Sequence, residues 1–277
     1  MGDPVVAVSS SSGRFFADPC RLHGLLCSGW PCSGDRGDSD WHSVVKPGDP
    51  EAIEQMFDDV APRYDQLNDL LSFGLHRYWK RQLIRWLRPV PGETWLDLCC
   101  GTGDLALQLA RYVRPSGRVI GLDTAFAPLQ LARLRQQREP WLQVEWFQGD
   151  ALDTGLDDSC VDGALMAYGL RNLKDPAAGL KELRRLVRAG GRAGILDFNR
   201  LQPTDPLGQF QRFYLRRLVV PIAAINGLAD HYAYLEESLQ RFPDGAMQEQ
   251  MAVRAGFVEA RHRTLMAGQM GILLLEG

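Results

Sequence analysis

From Thr94 onward, short apolar runs alternate with stretches whose apolar residues recur three and four apart, and that alternation leaves little choice of architecture. Thr94–Leu98, Arg118–Asp123, Val144–Phe147, Val161–Ala167 and Ala193–Phe198 read as buried strands. Between them lie a helix carrying Leu105, Leu109 and Val113, and a helix over Pro128–Gln137 with proline at its start. A further helix, Pro176–Val187, is closed by Ala189-Gly190-Gly191. Strands separated by helices demand a parallel sheet covered on both faces. Gly245–Ala255 is a last helix, and Val258–Leu265 with Met270–Leu275 a closing hairpin that adds two strands, one of them antiparallel. The expected fold is α/β: a seven-stranded, mostly parallel sheet with helices on both faces. Glu51–Phe57 and Leu75–Trp86, both helical in pattern, give it an N-terminal cap.

Composition removes several classes of function. A chain of 277 residues with 45% hydrophobic and 23% charged content has the make-up of one large globular domain. A net charge of −3 argues against a nucleic-acid binder that works by neutralising phosphates. The most apolar run, Leu218–Ala229, is broken by Pro221, Asn226 and Gly227 and falls short of a membrane span. Cys20, Cys27 and Cys32 lie near the N-terminus, Cys99 and Cys100 are adjacent, and Cys160 is isolated, so nothing has metal-ligand spacing with histidines. We expect a reducing, cytoplasmic setting and no structural metal.

Residues 1–44 differ from the rest: they are rich in Ser and Gly, lack hydrophobic periodicity, and hold five Asp against three Arg. A secretory signal needs a basic start and an apolar stretch, and a plastid transit peptide avoids acids. Two readings stay open: a disordered tail, or upstream sequence translated from a misplaced start, with the true one near Val44 or Val45. The folded body is expected over 45–277.

The loop after the first strand, Asp97-Leu-Cys-Cys-Gly101-Thr102-Gly103-Asp104, marks the candidate site, because open α/β sheets bind ligands at the carboxyl ends of their strands. Gly101 and Gly103 let a ligand approach the backbone. Twenty residues past Gly103, Asp123 ends the second strand, placed to accept from a ribose diol, and Asp150, beside Ala151, ends the third, placed to meet an exocyclic amine. Gly101-x-Gly103-x-x-Ala106 with Asp123 also satisfies the dinucleotide fingerprint, so an NAD-binding oxidoreductase competes. Asp97 inside the first strand and a run of acids after three strands would repel a diphosphate, yet suit a ligand bearing sulfonium and ammonium groups.

On these residues the chain resembles the class I, Rossmann-like S-adenosylmethionine-dependent methyltransferases. That resemblance implies that Asp97, Gly101, Thr102 and Gly103 surround the methionine moiety, that Asp123 binds the ribose, and that Asp150 with Ala151 meets the adenine. A more specific stretch runs from Phe57 to Lys80 and contains Tyr64-Asp65-Gln-Leu-Asn68, Ser72-Phe-Gly-Leu-His76 and Trp79-Lys80. It is similar to the N-terminal signature of the quinone-biosynthesis C-methyltransferases, which act on ubiquinone, menaquinone and phylloquinone precursors. Met166-Ala-Tyr168-Gly169-Leu170-Arg171-Asn172 and Arg185-Leu-Val-Arg-Ala189-Gly190-Gly191 resemble two further family segments. Asp197-Phe198-Asn199 departs from the family's Glu-x-Ser and, with His231–Pro243, looks like the cyanobacterial and plant branch that methylates 2-phytyl-1,4-naphthoquinol. Ala167 replaces a serine found in many relatives.

The resemblance therefore implies a prenylated naphthoquinol substrate, with demethylmenaquinol as the neighbouring alternative. Methylation of a ring carbon needs an electron-rich quinol, an aligned methyl donor and stabilisation of the developing phenolate. Arg171 and Asn172 are the candidates for that last task; Arg171 is a poor base because its guanidinium is effectively always protonated, and a water bound by Arg171, Tyr64 and a carboxylate suits that role better. His76 is a candidate base by its ordinary pKa, or a packing residue. Tyr64 either closes the cap over the donor or only packs. Residues 209–229 combine aromatics with arginines, which fits a tail entrance resting on a thylakoid membrane surface and fits an ordinary helix with a solvated basic face equally well. A catalytically idle cofactor-binding member is a third reading. A homo-oligomer is compatible with the sequence.

Overall fold

The computed structural model describes residues 74–200 and 238–277, together with the isolated positions 209, 213 and 217. The Glu51–Phe57 helix and the whole of 1–44 lie outside these residues. Helix α1, Leu75–Leu87, turns a stripe of His76, Trp79, Lys80, Leu83, Ile84 and Leu87 inward, at the three-and-four spacing of a half-buried helix. Arg192 ties down its C-terminus, donating to the carbonyl of Arg88 at 2.8 Å and to Glu93 Oε1 at 2.8 Å.

Strands β1 (Thr94–Leu98), β2 (Arg118–Asp123), β3 (Val144–Gln148), β4 (Val161–Ala167), β5 (Val187–Phe198), β6 (Glu259–Leu265) and β7 (Met270–Glu276) form one sheet in the order β3-β2-β1-β4-β5-β7-β6. The first five are mutually parallel, and β7 runs antiparallel to both β5 and β6. The seven strands and the single reversal are those the sequence pattern implies. Strand order reverses between β1 and β4, which places the crevice of such a sheet at their carboxyl ends.

Helix α2 is Asp104–Val113, α3 is Phe126–Gln136, α4 is Pro176–Leu186 and α5 is Gly245–Arg254. Asp175 caps α4 by accepting from the amides of Ala177 and Ala178, with Pro176 at the first helical position. Two boundaries differ from the sequence reading by more than one residue. Helix α3 starts at Phe126, so Pro128 is its third residue, where a missing N–H still costs no helical bond. Ala189-Gly190-Gly191 does not terminate α4. Chain already in β5 carries these residues, and they bulge outward: Asp162 alone separates Val161 from Gly163 on β4, whereas Arg188 to Gly191 intervene between their partners Val187 and Arg192.

The sheet divides the core into two layers. Leu96, Leu98, Ile120 and Leu122 pack with Leu180, Leu183 and Leu186 of α4 on one face. Trp95 and Leu165 pack with α1 and α2 on the other. Side chains alternate along a strand, so Asp97 points to the same face as Trp95, toward α1 and α2.

Candidate active site

One cavity opens where β1, β2, β3 and β4 end, and it collects most of the residues singled out in the sequence. Asp97, Gly101, Thr102, Asp123, Asp150, Ala151 and Asn172 all line it. Gly103, Arg171 and His76 do not, and Tyr64 lies outside the described residues.

The loop after β1 is held by its neighbours. The Cys100 amide donates to the carbonyl of Leu122 at 3.0 Å, and the Gly101 amide to Asp123 Oδ2 at 2.7 Å. Asp123 Oδ1 accepts from the Ala125 amide at 3.0 Å, so this carboxylate fixes the glycine loop and the start of α3 together while lining the cavity. Gly101 has φ +53°, and a Cβ there would meet nothing within 4 Å: the loop leaves open space at that point. Gly103 has another reason to be glycine. At φ +76° its Cβ would come within 2.4 Å of the Trp146 ring and 2.8 Å of Ala132, so the position serves close packing behind the cavity. Thr102 is buried, and its hydroxyl accepts from Arg135 at 2.8 Å.

Asp97 is only 1% exposed, and its Oδ2 has no hydrogen-bond partner among the described residues. Burial pushes its carboxyl up to about 8, against the opposing pull of Lys80. Asp150, just past β3, accepts from the Leu152 amide at 2.9 Å, and Ala151 beside it is buried. Cys99 and Cys100 line the wall as neutral thiols: burial first, then the nearby carboxylates, raises both well above the ordinary thiol range, which removes their nucleophilic form.

Beyond β4 the chain makes a short turn, Leu170–Asn172. Tyr168 enters it at φ +62°, pinned by its amide to the carbonyl of Leu196 at 2.8 Å, and lines the cavity. Asn172 donates from Nδ2 to the Tyr168 carbonyl at 3.0 Å and accepts from the Arg171 guanidinium. Arg171 itself is buried against Asp197, with its Nε 3.1 Å from Oδ1 and its amide donating to Oδ2 at 3.1 Å, and its guanidinium lies 5.7 Å from the Phe198 ring centre. This is a buried pair, not a surface one, and it acts on the cavity wall through Asn172.

Three features escaped the sequence reading. Lys80 lines the cavity, with its Nζ donating to Asp104 Oδ2 at 3.0 Å. A lysine on the inward stripe of an amphipathic helix is the signal that could have found it. Asp104 also lines the cavity; burial alone would raise its carboxyl, but Lys80 outweighs burial and holds it below the ordinary range. Tyr168 is the third. His76 is buried one turn before Lys80 on α1 and contributes to the field at Asp104 from behind the wall.

These residues fit a cationic nucleoside better than a diphosphate, since the unpartnered Asp97 oxygen needs a donor and Asp123 and Asp150 add further negative charge. Residues 45–274 match the model of the ubiE/COQ5 methyltransferase family. The chain belongs to this family. It is an S-adenosylmethionine-dependent methyltransferase, which decides between the two readings of the glycine loop. The chain is similar to the 2-phytyl-1,4-naphtoquinone methyltransferase of Synechococcus elongatus, 48% identical over 82% of this chain and 97% of that protein. A chloroplastic 2-phytyl-1,4-beta-naphthoquinone methyltransferase of Arabidopsis thaliana is 40% identical, over 84% of this chain and 89% of its own. The fold is shared with a crystal structure of a SAM-dependent methyltransferase from Aquifex aeolicus, at a TM-score of 0.51 and 17% identity, over 71% of this chain and 88% of that one. No helix among the described residues is long and apolar enough to cross a membrane.

Proposed function

We propose that this methyltransferase, working through residues 45–277, methylates the ring of 2-phytyl-1,4-naphthoquinol at carbon 3, the last methylation on the way to phylloquinone. The observation that carries the reading is the activity shared by two relatives, one cyanobacterial and one plant, that cover most of the chain. The donor supplies a methyl group activated on a sulfonium. For the protein the work is binding, alignment and charge. Asp97, Gly101 and Thr102 hold the methionine end, Asp123 the ribose, and Asp150 with Ala151 the adenine. Gly103 supports that loop from behind by its packing on Trp146.

The substrate must be the reduced quinol, because its ionised hydroxyl pushes electron density onto the ring carbon and a quinone has none to offer. Asn172 stands at the cavity wall as the donor toward the developing phenolate, and Arg171 fixes its amide and brings a positive field behind it. Such donors are worth roughly 3–4 kcal/mol in related oxyanion sites. Tyr64 belongs to this reading as the residue that closes the cap. The ring proton that leaves as aromaticity is restored passes to a water held by Arg171, Tyr64 and a carboxylate, and His76 enters the reading as a group that adds to the field at Asp104, not as the base. The entrance for the phytyl tail, and any contact with a thylakoid surface, is assigned to 209–229, a segment outside the described residues apart from three isolated positions.

The test is incorporation of labelled methyl from S-adenosylmethionine into 2-phytyl-1,4-naphthoquinone, with and without dithionite, beside demethylmenaquinone under the same conditions. Incorporation into the phytyl compound only when reduced is the expected result. Failure in both states, with S-adenosylhomocysteine still bound, overturns the assigned substrate.

A further inference from the structure

Two lysines line the cavity, and of these Lys174 is exposed while Lys80 is buried and has no task in the proposed function. Lys80 sits on the inward stripe of α1 between Trp79 and Leu83, with its side chain only 11% exposed. A single ion pair with Asp104 is a poor reason to bury a lysine there, because an apolar residue of similar volume serves the packing without the cost of desolvation. Lys80 nonetheless lines the cavity, and its charge is felt by Asp97 as well as Asp104. Asp97, almost wholly buried, presents an oxygen with no hydrogen-bond partner among the described residues. The Lys80 cation and a buried carboxyl group with an unsatisfied oxygen thus line the same cavity, close enough to interact. An α-amino acid carries the complementary pair, a carboxylate and an ammonium.

Resting on the S-adenosylmethionine reading of the site, we propose that Lys80 receives the α-carboxylate of the donor's amino-acid end while Asp97 receives its α-ammonium, so that this end is recognised as a zwitterion. An ammonium has three N–H donors. Asp104 takes one at 3.0 Å, which holds the lysine charged and aimed while leaving it donors for a carboxylate.

The measurement is calorimetric titration of the full chain with two stable thioethers: S-adenosylhomocysteine, and 5′-deoxy-5′-(3-aminopropylthio)adenosine, which lacks only the carboxylate. The acids of the site alone favour the second, the more positive ligand. The wild type is expected to favour the first by roughly tenfold to a hundredfold, the worth of a charge-assisted hydrogen bond. Lys80→Met should bring the ratio to one or below by weakening S-adenosylhomocysteine while leaving the decarboxylated ligand where it was. Because the ratio is taken within each variant, general loosening of the fold lowers both affinities and leaves it unchanged. Lys80→Gln carries the same comparison should Lys80→Met fail to fold. A ratio that survives loss of the lysine overturns this assignment and leaves the methyltransferase reading intact. If the wild type binds neither ligand, the cofactor reading falls and takes the assignment with it.

Discussion

Arg171 Nε lies 3.1 Å from Asp197 Oδ1, with the two side chains 9% and 4% exposed, yet the N–H is not aligned to make a hydrogen bond there. The pair therefore rests on charge, on the Arg171 amide bonded to the same carboxylate, and on the guanidinium's bond to Asn172. Removing either partner strands the other charge in the interior, at a cost of about 3–5 kcal/mol. Arg171→Met and Asp197→Leu should each lose about that much in urea unfolding. The double variant should recover a large part of the loss and still fail to incorporate methyl groups, because Asn172 no longer has a cation behind it. Recovery of activity together with stability would reduce the pair to a packing device.

Gly101 and Gly103 look equivalent in the sequence and should separate on substitution. An alanine at Gly101 meets no atom but is held at φ +53°, which costs about 1–2 kcal/mol, and it fills space at the cavity. At Gly103 the same backbone cost is joined by overlap with Trp146 and Ala132, worth roughly another 1–3 kcal/mol. Gly101→Ala should therefore show mainly weakened S-adenosylhomocysteine binding, and Gly103→Ala mainly a lower Tm. Denaturant melts beside ligand titrations distinguish the two.

That contrast shows where sequence reading reaches and where it stops. Strands β1, β2 and β4 were legible to the residue because apolar runs bounded by turn residues specify a buried parallel sheet. The beginning of β5 was not. Ala189-Gly190-Gly191 carries the composition of a helix stop, and only pairing with β4 across a bulge reveals it as strand. Asp97 announced itself as an acid inside a buried strand, and Asp123 and Asp150 as acids at or just past strand ends. Lys80 did not, although it stands on a stripe otherwise made largely of apolar residues, because its partner Asp104 lies 24 positions away and only tertiary packing brings them together.

Glu182 of α4 gives the fold a measurable acid limb. Arg185 donates to it from Nη2 at 2.7 Å and from Nε at 2.8 Å, and the Thr154 hydroxyl at 2.6 Å. The Arg185 bonds, against burial and with help from Thr154, hold the carboxyl at about 2. Its folded value is thus below its unfolded one, so the folded state gives up this proton more readily. The stabilisation is complete above about pH 4.5 and fades as the pH falls toward 2. Because Arg185 is one-third exposed, solvent screens the pair and the gain is about 1 kcal/mol, or about 2–4 °C in Tm. Glu182→Gln should melt lower than the wild type by that margin at pH 6, with the gap closing toward pH 3. A gap independent of pH would assign the loss to packing.

Asp97 reverses that sign. Burial raises its carboxyl to about 8, so in the ligand-free protein near neutral pH it is largely protonated, and across roughly pH 4 to 8 the folded state binds more protons than the unfolded one. Stability without ligand should fall as the pH rises through that window, and Asp97→Asn should remove the slope and raise Tm near pH 8 by a few degrees, on the order of 1–2 kcal/mol. Binding runs the other way. A ligand ammonium favours the carboxylate, so binding expels a proton and affinity climbs with pH, by at most about tenfold per unit, until it levels near pH 8. Calorimetric titration of S-adenosylhomocysteine from pH 6 to 8, in buffers of differing ionisation enthalpy, reads both the slope and the released proton. Asp97→Asn should bind more weakly at pH 8 and show neither. An affinity flat across this range, with no proton released by the wild type, would mean that Asp97 does not meet the ammonium, and the acid inside β1 would then need another explanation.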